Sequence, residues 1–174
     1  MDEKKRIAFI VNPISGVLDK RQIMEGMARR LDREAYEARV VYTERAGHAV
    51  EIAAREAAEG TYAVVAVGGD GTINEIARSL VHTSTALGII PCGSGNGLAR
   101  HLQIPLDPRR AIGILNEGHV ETIDYGTLNG TPFFCTCGVG FDAFVSLQFS
   151  RAGRRGPLTY LEKTLFDSLK YRPE

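Results

Sequence analysis

The sequence predicts an α/β fold in which an open, mostly parallel sheet lies between two layers of helices. Short apolar runs rich in β-branched residues alternate with helix-length segments, and three of the first four runs show no polar alternation. Strands that are covered on both faces in a parallel sheet have this continuous apolar character. The repeated strand–helix–strand order implies right-handed crossovers. We therefore interpret residues 1–174 as a single three-layer α/β domain.

Four strands and four helices are predicted in the amino-terminal part of the chain. The strands are predicted at residues 7–11, 38–43, 62–67 and 86–90, and the helices at residues 20–31, 48–59, 71–80 and 94–101. From residue 119 the pattern changes, because two strand-like runs flank Asn129-Gly130. That dipeptide predicts a β-hairpin with a type I′ turn. The part that begins at residue 141 is predicted to be a helical tail in two pieces.

Composition excludes several classes of function. Lys plus Arg and Asp plus Glu both number 21, so no net charge attracts a nucleic acid, and we expect no nucleic-acid partner. Cys92, Cys135 and Cys137 make neither a disulfide framework nor a zinc site, and we expect them to be buried thiols. No apolar run approaches the ~18 residues of a membrane span. A soluble protein of the reducing cytoplasm is expected.

Glycine-rich breaks fall where the predicted strands end. NPISG (residues 12–16) follows the first strand, GGDGT (68–72) the third and PCGSGN (91–96) the fourth, while residues 43–48 follow the second. The carboxyl ends of parallel strands meet at one edge of the sheet, where open α/β sheets bind their ligands. We therefore expect a ligand site at this edge.

These loops suit a phosphate group. Glycine permits positive φ and has no Cβ to block access to the main chain. A helix start leaves N–H groups unpaired and carries about half a positive charge. The expected amide donors are Gly71, Thr72 and Ile73 after the third strand, with Gly95 and Asn96 after the fourth.

A structural alternative accounts for part of this pattern. Thr72-Ile73-Asn74-Glu75 matches a capping box, with Thr72 as N-cap and Glu75 reaching back to it. Capping does not account for Gly68, Gly69 and Asp70. The two commonest nucleotide motifs are missing, since the sequence has neither G-x-G-x-x-G after the first strand nor G-x-x-x-x-G-K-[ST].

Five motifs in order resemble the catalytic domain of the diacylglycerol kinase and sphingosine kinase family of lipid kinases. They are NPISG, a Thr before a GHA segment, GGDGTINE, PCGSGNGLAR and GVGFDA, and the match spans about residues 7–160. NAD kinases and phosphofructokinases share the GGDG element, but PCGSGNGLAR fits the lipid kinases better. The resemblance implies an α/β nucleotide domain followed by a carboxyl-terminal β-sandwich domain, which we expect to be missing from this chain.

The resemblance implies ATP and Mg²⁺ as cofactors and a set of nucleotide contacts. These contacts are Asn12, Ser15, Gly16, Thr43, Gly68, Gly69, Gly71, Thr72, Asn74, Glu75, Gly93, Ser94, Gly95 and Asn96. Asp70 is expected to be catalytic, either at the magnesium ion or as the base that accepts the hydroxyl proton, although the resemblance also allows a base in the missing domain. Asp124 is expected in the magnesium network or at the lipid head group, with a turn carboxylate as the alternative.

Three functions stay open from the sequence. The leading hypothesis is ATP-dependent phosphorylation of a lipid alcohol, of diacylglycerol or sphingoid type, with peripheral membrane contact. The alternatives are an NAD kinase-like enzyme and a nucleotide-binding module without catalysis. The basic residues 151–155 are expected to form a solvated loop rather than a lipid contact.

Overall fold

A computed structural model describes residues 3–14, 20–141, 143–145 and 147 of the chain. The chain divides into two compact units, Met1–Cys135 and Thr136–Glu174. In the second unit, the amide of Phe144 donates to the carbonyl of Gly140 at 3.0 Å and closes a helical turn. Some predictions concern residues outside the described ones: Ser15, Gly16, the rest of the helical tail and the loop at 151–155.

The first unit contains the sheet, its helices and a hairpin. In chain order the elements are β1 (Lys5–Val11), α1 (Lys20–Arg30), β2 (Tyr36–Tyr42), α2 (His48–Ala58), β3 (Ala63–Gly68), α3 (Asp70–Leu80), β4 (Ala86–Pro91), α4 (Gly97–His101), α5 (Pro108–Glu117), β5 (Gly126–Leu128) and β6 (Thr131–Phe133). None of the helices in the described part of the chain is long and apolar enough to cross a membrane.

The main sheet is parallel throughout, in the order β2-β1-β3-β4. Val11 pairs with Tyr42 on one side and Val67 on the other, while Gly68 pairs with Pro91, so all four strands end at one edge. The chain moves outward from β1 to β2 and then returns to the other side of β1. The connections therefore change direction between β1 and β3, the kind of point at which α/β sheets form a crevice.

Helices cover both faces of the sheet, which confirms the predicted α/β class. In β1, Ile7, Phe9 and Val11 join a cluster with α1 and α5, whereas Ala8 and Ile10 join a second cluster with α2, α3 and α4. Because successive side chains of a strand point to opposite faces, burial on both faces requires an unbroken apolar run. This requirement explains why the run IAFIV shows no polar alternation.

The hairpin has the predicted turn but much shorter strands. Asn129 and Gly130 have φ of 50° and 77°, the left-handed values that a type I′ turn requires. β5 and β6 have three residues each, and residues 119–125 form no strand. The hairpin is held to α3, because Arg78 Nε donates to the carbonyl of Pro132 at 2.9 Å.

Three further predictions need correction. α5 was not predicted, although Asp107 caps it by accepting from Arg109 N at 2.9 Å. The fourth helix begins at Gly97 rather than at residue 94. Of the thiols expected to be buried, Cys92 is buried, but Cys135 and Cys137 are exposed.

Removing side-chain volume from the centre of the sheet is expected to weaken the fold strongly. Ile10→Ala should lower the free energy of unfolding by about 2–5 kcal/mol, because Ile10 is fully buried and the vacated space cannot be refilled. Val50→Ala on the solvent side of α2, where Val50 is 37% exposed, should change it by about 0.5 kcal/mol or less. Urea unfolding followed by circular dichroism measures both; equal losses would contradict the described core.

Candidate functional site

The glycine-rich loops lie side by side at the edge where the strands end. Main-chain hydrogen bonds continue past the strand ends, from Asn12 N to Val67 O at 3.2 Å and from Cys92 N to Gly68 O at 2.8 Å. The loops after β1, β3 and β4 are therefore neighbours, as the sequence predicts.

Some glycines are required because two loops touch. A Cβ on Gly93 would lie 2.7 Å from Gly69 Cα, and a Cβ on Gly68 would lie 2.7 Å from the side chain of Thr72. Gly71 differs, because a Cβ there would meet nothing within 4 Å. The glycine signal in the sequence thus combines a packing requirement at residues 68, 69 and 93 with open space at Gly71.

The first turn of α3 presents main-chain amides to that open space. The helix begins at Asp70, with Gly69 as N-cap and no side-chain cap, and its first internal bond runs from Ile73 N to Gly69 O at 3.1 Å. In the described part of the chain the amides of Asp70, Gly71 and Thr72 have no acceptor, as expected for the start of a helix. Such amides, with the helix dipole behind them, favour an anion.

The capping-box prediction at Thr72 is wrong, and its residues make different contacts. Thr72 is buried in the first turn, where its Oγ1 accepts from Asn12 Nδ2 at 3.2 Å. Glu75 Oε1 accepts from Gly47 N at 3.4 Å, which links α3 to the loop after β2. These contacts join the loops after β1 and β2 to α3, across the point where the chain changes direction.

The loop after β2 is tied to its own helix. Thr43 is buried, and its amide donates to Val11 O at 2.9 Å. Arg45 pairs with both carboxylate oxygens of Glu51 at 2.7 Å, and this hydrogen bond holds the pKa of Glu51 below its usual range. His48 is the first residue of α2, and its Nδ1 accepts from Glu44 N at 3.2 Å.

The loop after β4 is folded around Asn96. This buried residue has a φ of 56°, its Oδ1 accepts from Gly93 N at 2.9 Å, and its Nδ2 donates to Gly93 O at 2.7 Å. The main-chain amide of Asn96, which the sequence suggested as a phosphate donor, donates to Asp70 Oδ2 at 2.8 Å. Ser94 and Gly95 stay exposed at the tip of the loop.

The second carboxylate expected in the site makes no described contact with the glycine loops. Asp124 is exposed before β5, and in the described residues no hydrogen bond or ion pair joins it to the glycine loops. Within the same residues, no group of three or more His, Cys, Asp or Glu side chains could hold a metal ion. Asn74 is half-buried on α3.

Sequence reasoning missed Cys135 as a neighbour of the site. A Cβ on Gly97 would lie 2.9 Å from Cys135 Sγ, so the thiol lies against the start of α4. No local pattern indicates this contact, because it depends on how the chain after the hairpin returns to the loops.

Comparison with known proteins connects this site to one family. A sequence model of the diacylglycerol kinase catalytic domain matches residues 6–128. A diacylglycerol kinase of Staphylococcus saprophyticus is 33% identical over 132 residues, which cover 75% of this chain and 43% of that protein. A diacylglycerol kinase of Staphylococcus aureus strain JH9 is 35% identical over 133 residues, which cover 75% of this chain and 42% of that protein. The chain thus spans less than half the length of the curated relatives it matches.

Solved structures give the same result for the fold. A crystal structure from Bacillus anthracis str. Sterne, of a protein provisionally identified as a diacylglycerol kinase, has a TM-score of 0.69 and 26% identity over 76% of this chain and 49% of that one. A second crystal structure, of a diacylglycerol kinase from the same organism, has a TM-score of 0.67 and 24% identity. The match covers 76% of this chain and 49% of that one.

Two glycine substitutions are expected to differ sharply in their effect on folding. Gly93→Ala should lower the free energy of unfolding by about 1–3 kcal/mol, since the new Cβ would meet Gly69 Cα and Asn96 Oδ1 at 2.7 and 2.9 Å. Gly71→Ala should cause no loss and could add up to about 1 kcal/mol, because Ala favours helix and the space is open. Urea unfolding provides the measurement, and a destabilised Gly71→Ala would contradict the open space.

Proposed function

Since the chain belongs to the diacylglycerol kinase catalytic-domain family, we propose that it forms the nucleotide-binding part of an enzyme that transfers the γ-phosphoryl group of ATP to a lipid hydroxyl. The observation that carries this proposal is the open space over Gly71, next to unpaired amides at the start of α3. A triphosphate fits there, because it can accept from main-chain amides with no side chain in the way.

In this proposal three groups of residues surround the nucleotide. The amides of Asp70, Gly71 and Thr72 bind phosphate oxygens, and the exposed Ser94 hydroxyl approaches from the loop after β4. Asn12 lies where the chain changes direction between β1 and β3, the usual place for a nucleotide in this kind of sheet. Thr43 follows the neighbouring strand β2, on the other side of β1. The remaining proposed contacts among the described residues support these loops or line them: Gly68, Gly69, Asn74, Glu75, Gly93, Gly95 and Asn96. Ser15 and Gly16 stay proposed contacts from the sequence alone.

A magnesium ion fits this site only as a partner of the phosphates. Asp70 is the carboxylate at the open amides, and two carboxylate oxygens offer about four lone-pair positions, more than its two amide contacts use. Mg²⁺ keeps several waters and takes phosphate oxygens as ligands, so one protein carboxylate is enough. When bound, the ion would neutralise charge on the triphosphate. We include Asp70 in this role and leave out Asp124, which has no contact with the loops in the described residues.

The chain's own contribution to phosphoryl transfer is placement. Such transfer needs an aligned phosphate and compensated charge more than covalent chemistry by the protein. The amides at α3 hold the transferred group with donors that are already oriented, at little reorganisation cost. In this proposal the lipid approaches from a membrane surface, and the protein is cytoplasmic with peripheral membrane contact. The part of the longer relatives that this chain does not match would bind the acyl chains of the lipid and supply the proton acceptor.

Binding of ADP to this chain tests the proposed site. Calorimetry in the presence of Mg²⁺ should show one site, and Gly71→Val should weaken it about tenfold or more because the side chain enters the phosphate space. Gly113→Ala is the matched control, since Gly113 is also exposed on a helix with nothing within 4 Å, but in α5, away from the loops. Equal affinity in all three proteins would contradict the placement.

Transfer itself is tested with labelled ATP and vesicles that contain diacylglycerol. Labelled lipid should appear with this chain extended to the length of its relatives. Nucleotide binding without transfer, in both the short and the extended chain, would instead support a binding module. Phosphorylation of NAD in place of lipid would support an NAD kinase-like enzyme.

A further inference from the structure

Asp70 uses both of its carboxylate oxygens inside the protein. Oδ2 accepts from Asn96 N at 2.8 Å, and Oδ1 accepts from Gly97 N at 2.6 Å. These two amides belong to the loop after β4 and the start of α4, whereas Asp70 begins α3. The carboxylate therefore joins two segments that follow neighbouring strands.

The loop after β4 packs closely against this carboxylate. A Cβ on Gly95 would lie 2.8 Å from Asp70 Oδ2, and one on Gly97 would lie 3.7 Å from Oδ1. Asn96, with its φ of 56°, turns the chain so that two successive amides converge on one anion. The segment Gly-Asn-Gly at 95–97 is thus shaped to accept the side chain of Asp70.

We infer that Asp70 is a positioning residue that sets the distance between the open amides of α3 and the loop after β4, and with it the width of the phosphate site. This inference rests on the proposed function, because the width matters only if a phosphate binds there. The carboxylate of Asp70 already accepts from the amides of Asn96 and Gly97, so these amides are not available to a phosphate. A phosphate would therefore accept from the amides of α3. The two amide contacts fix the direction of the carboxylate, and each oxygen keeps a lone pair that the proposed magnesium ion could use.

Asp70→Asn tests the inference, with Asp107→Asn as the matched control. Each substitution keeps the size of the side chain and replaces an oxygen with an amino group. Asp107 also accepts a main-chain amide, from Arg109 N at 2.9 Å, but it caps α5 away from the glycine loops. We expect Asp70→Asn to weaken ADP binding about tenfold or more, as for the loss of a charged hydrogen bond. Asp107→Asn should stay within about twofold, while thermal unfolding shows that both variants are folded.

Amide hydrogen exchange gives a readout that does not depend on nucleotide. Without ligand, exchange at Asn96 and Gly97 should accelerate about tenfold or more in Asp70→Asn and stay unchanged in Asp107→Asn. Asp70→Glu keeps the charge but moves the oxygens by one methylene, so it should resemble Asp70→Asn in both measurements. This result would show that Asp70 acts by setting the distance between α3 and the loop after β4, and not by its charge alone.

The outcomes distinguish this inference from the proposed function. Unchanged exchange and unchanged ADP affinity in Asp70→Asn, together with lost transfer in the extended chain, would overturn the inference and make Asp70 the base. If the wild-type chain binds no ADP, the proposed function fails, whereas the exchange rates at Asn96 and Gly97 still decide whether Asp70 joins the two segments.

Discussion

When helices cover both faces of a parallel sheet, its loops can reach solvent only at the two sides where the strands begin or end. In this protein β1 and β3 are covered by α1 and α5 on one face and by α2, α3 and α4 on the other. Their register brings the strand ends to one edge, so the loops after β1, β3 and β4 are forced together. The site therefore depends on the packing of the sheet, because the same apolar contacts that stabilise the fold also bring the loops to one place.

Crowding at that edge explains why glycine is used in two different ways. Gly69 and Gly93 allow two main chains to touch, and a methyl group on Gly93 would come within 2.7 Å of Gly69 Cα. Gly71 has space in front of it and leaves amides accessible. Since the loops carry few side chains, a few polar groups within them hold them together, mainly the amide of Asn96, the carboxylate of Asp70 and the hydroxyl of Thr72. These hydrogen bonds hold the loops together, while the amides of the first turn of α3 stay without an acceptor in the described residues.

The sequence predicted the features of the fold that depend on residues close together in the chain. The parallel strands, the helices between them, the type I′ turn and the meeting of the loops were all predicted, because apolar runs and turn residues act over a few positions. The capping box at Thr72 was wrong because Thr72 has the sequence of a cap but is a buried hydroxyl in the first turn of α3. The contact of Asp70 with Asn96 spans 26 residues, and that of Cys135 with Gly97 depends on the path of the hairpin, so neither has a local signal. α5 had such a signal, an Asp-Pro start and a Gly at its end, that the sequence reasoning passed over.

Helix α3 extends from the proposed phosphate site to the hairpin. Asp70 stands at its first residue, and Arg78, in its last turn, holds the carbonyl of Pro132 at 2.9 Å. A helix of 11 residues is a stiff rod about 16 Å long, which transmits a shift along its axis with little loss. A displacement of its amino-terminal end by a ligand would therefore reach β6 as a change in the position of the hairpin. A single helix thus connects the proposed phosphate site with the surface that the hairpin forms.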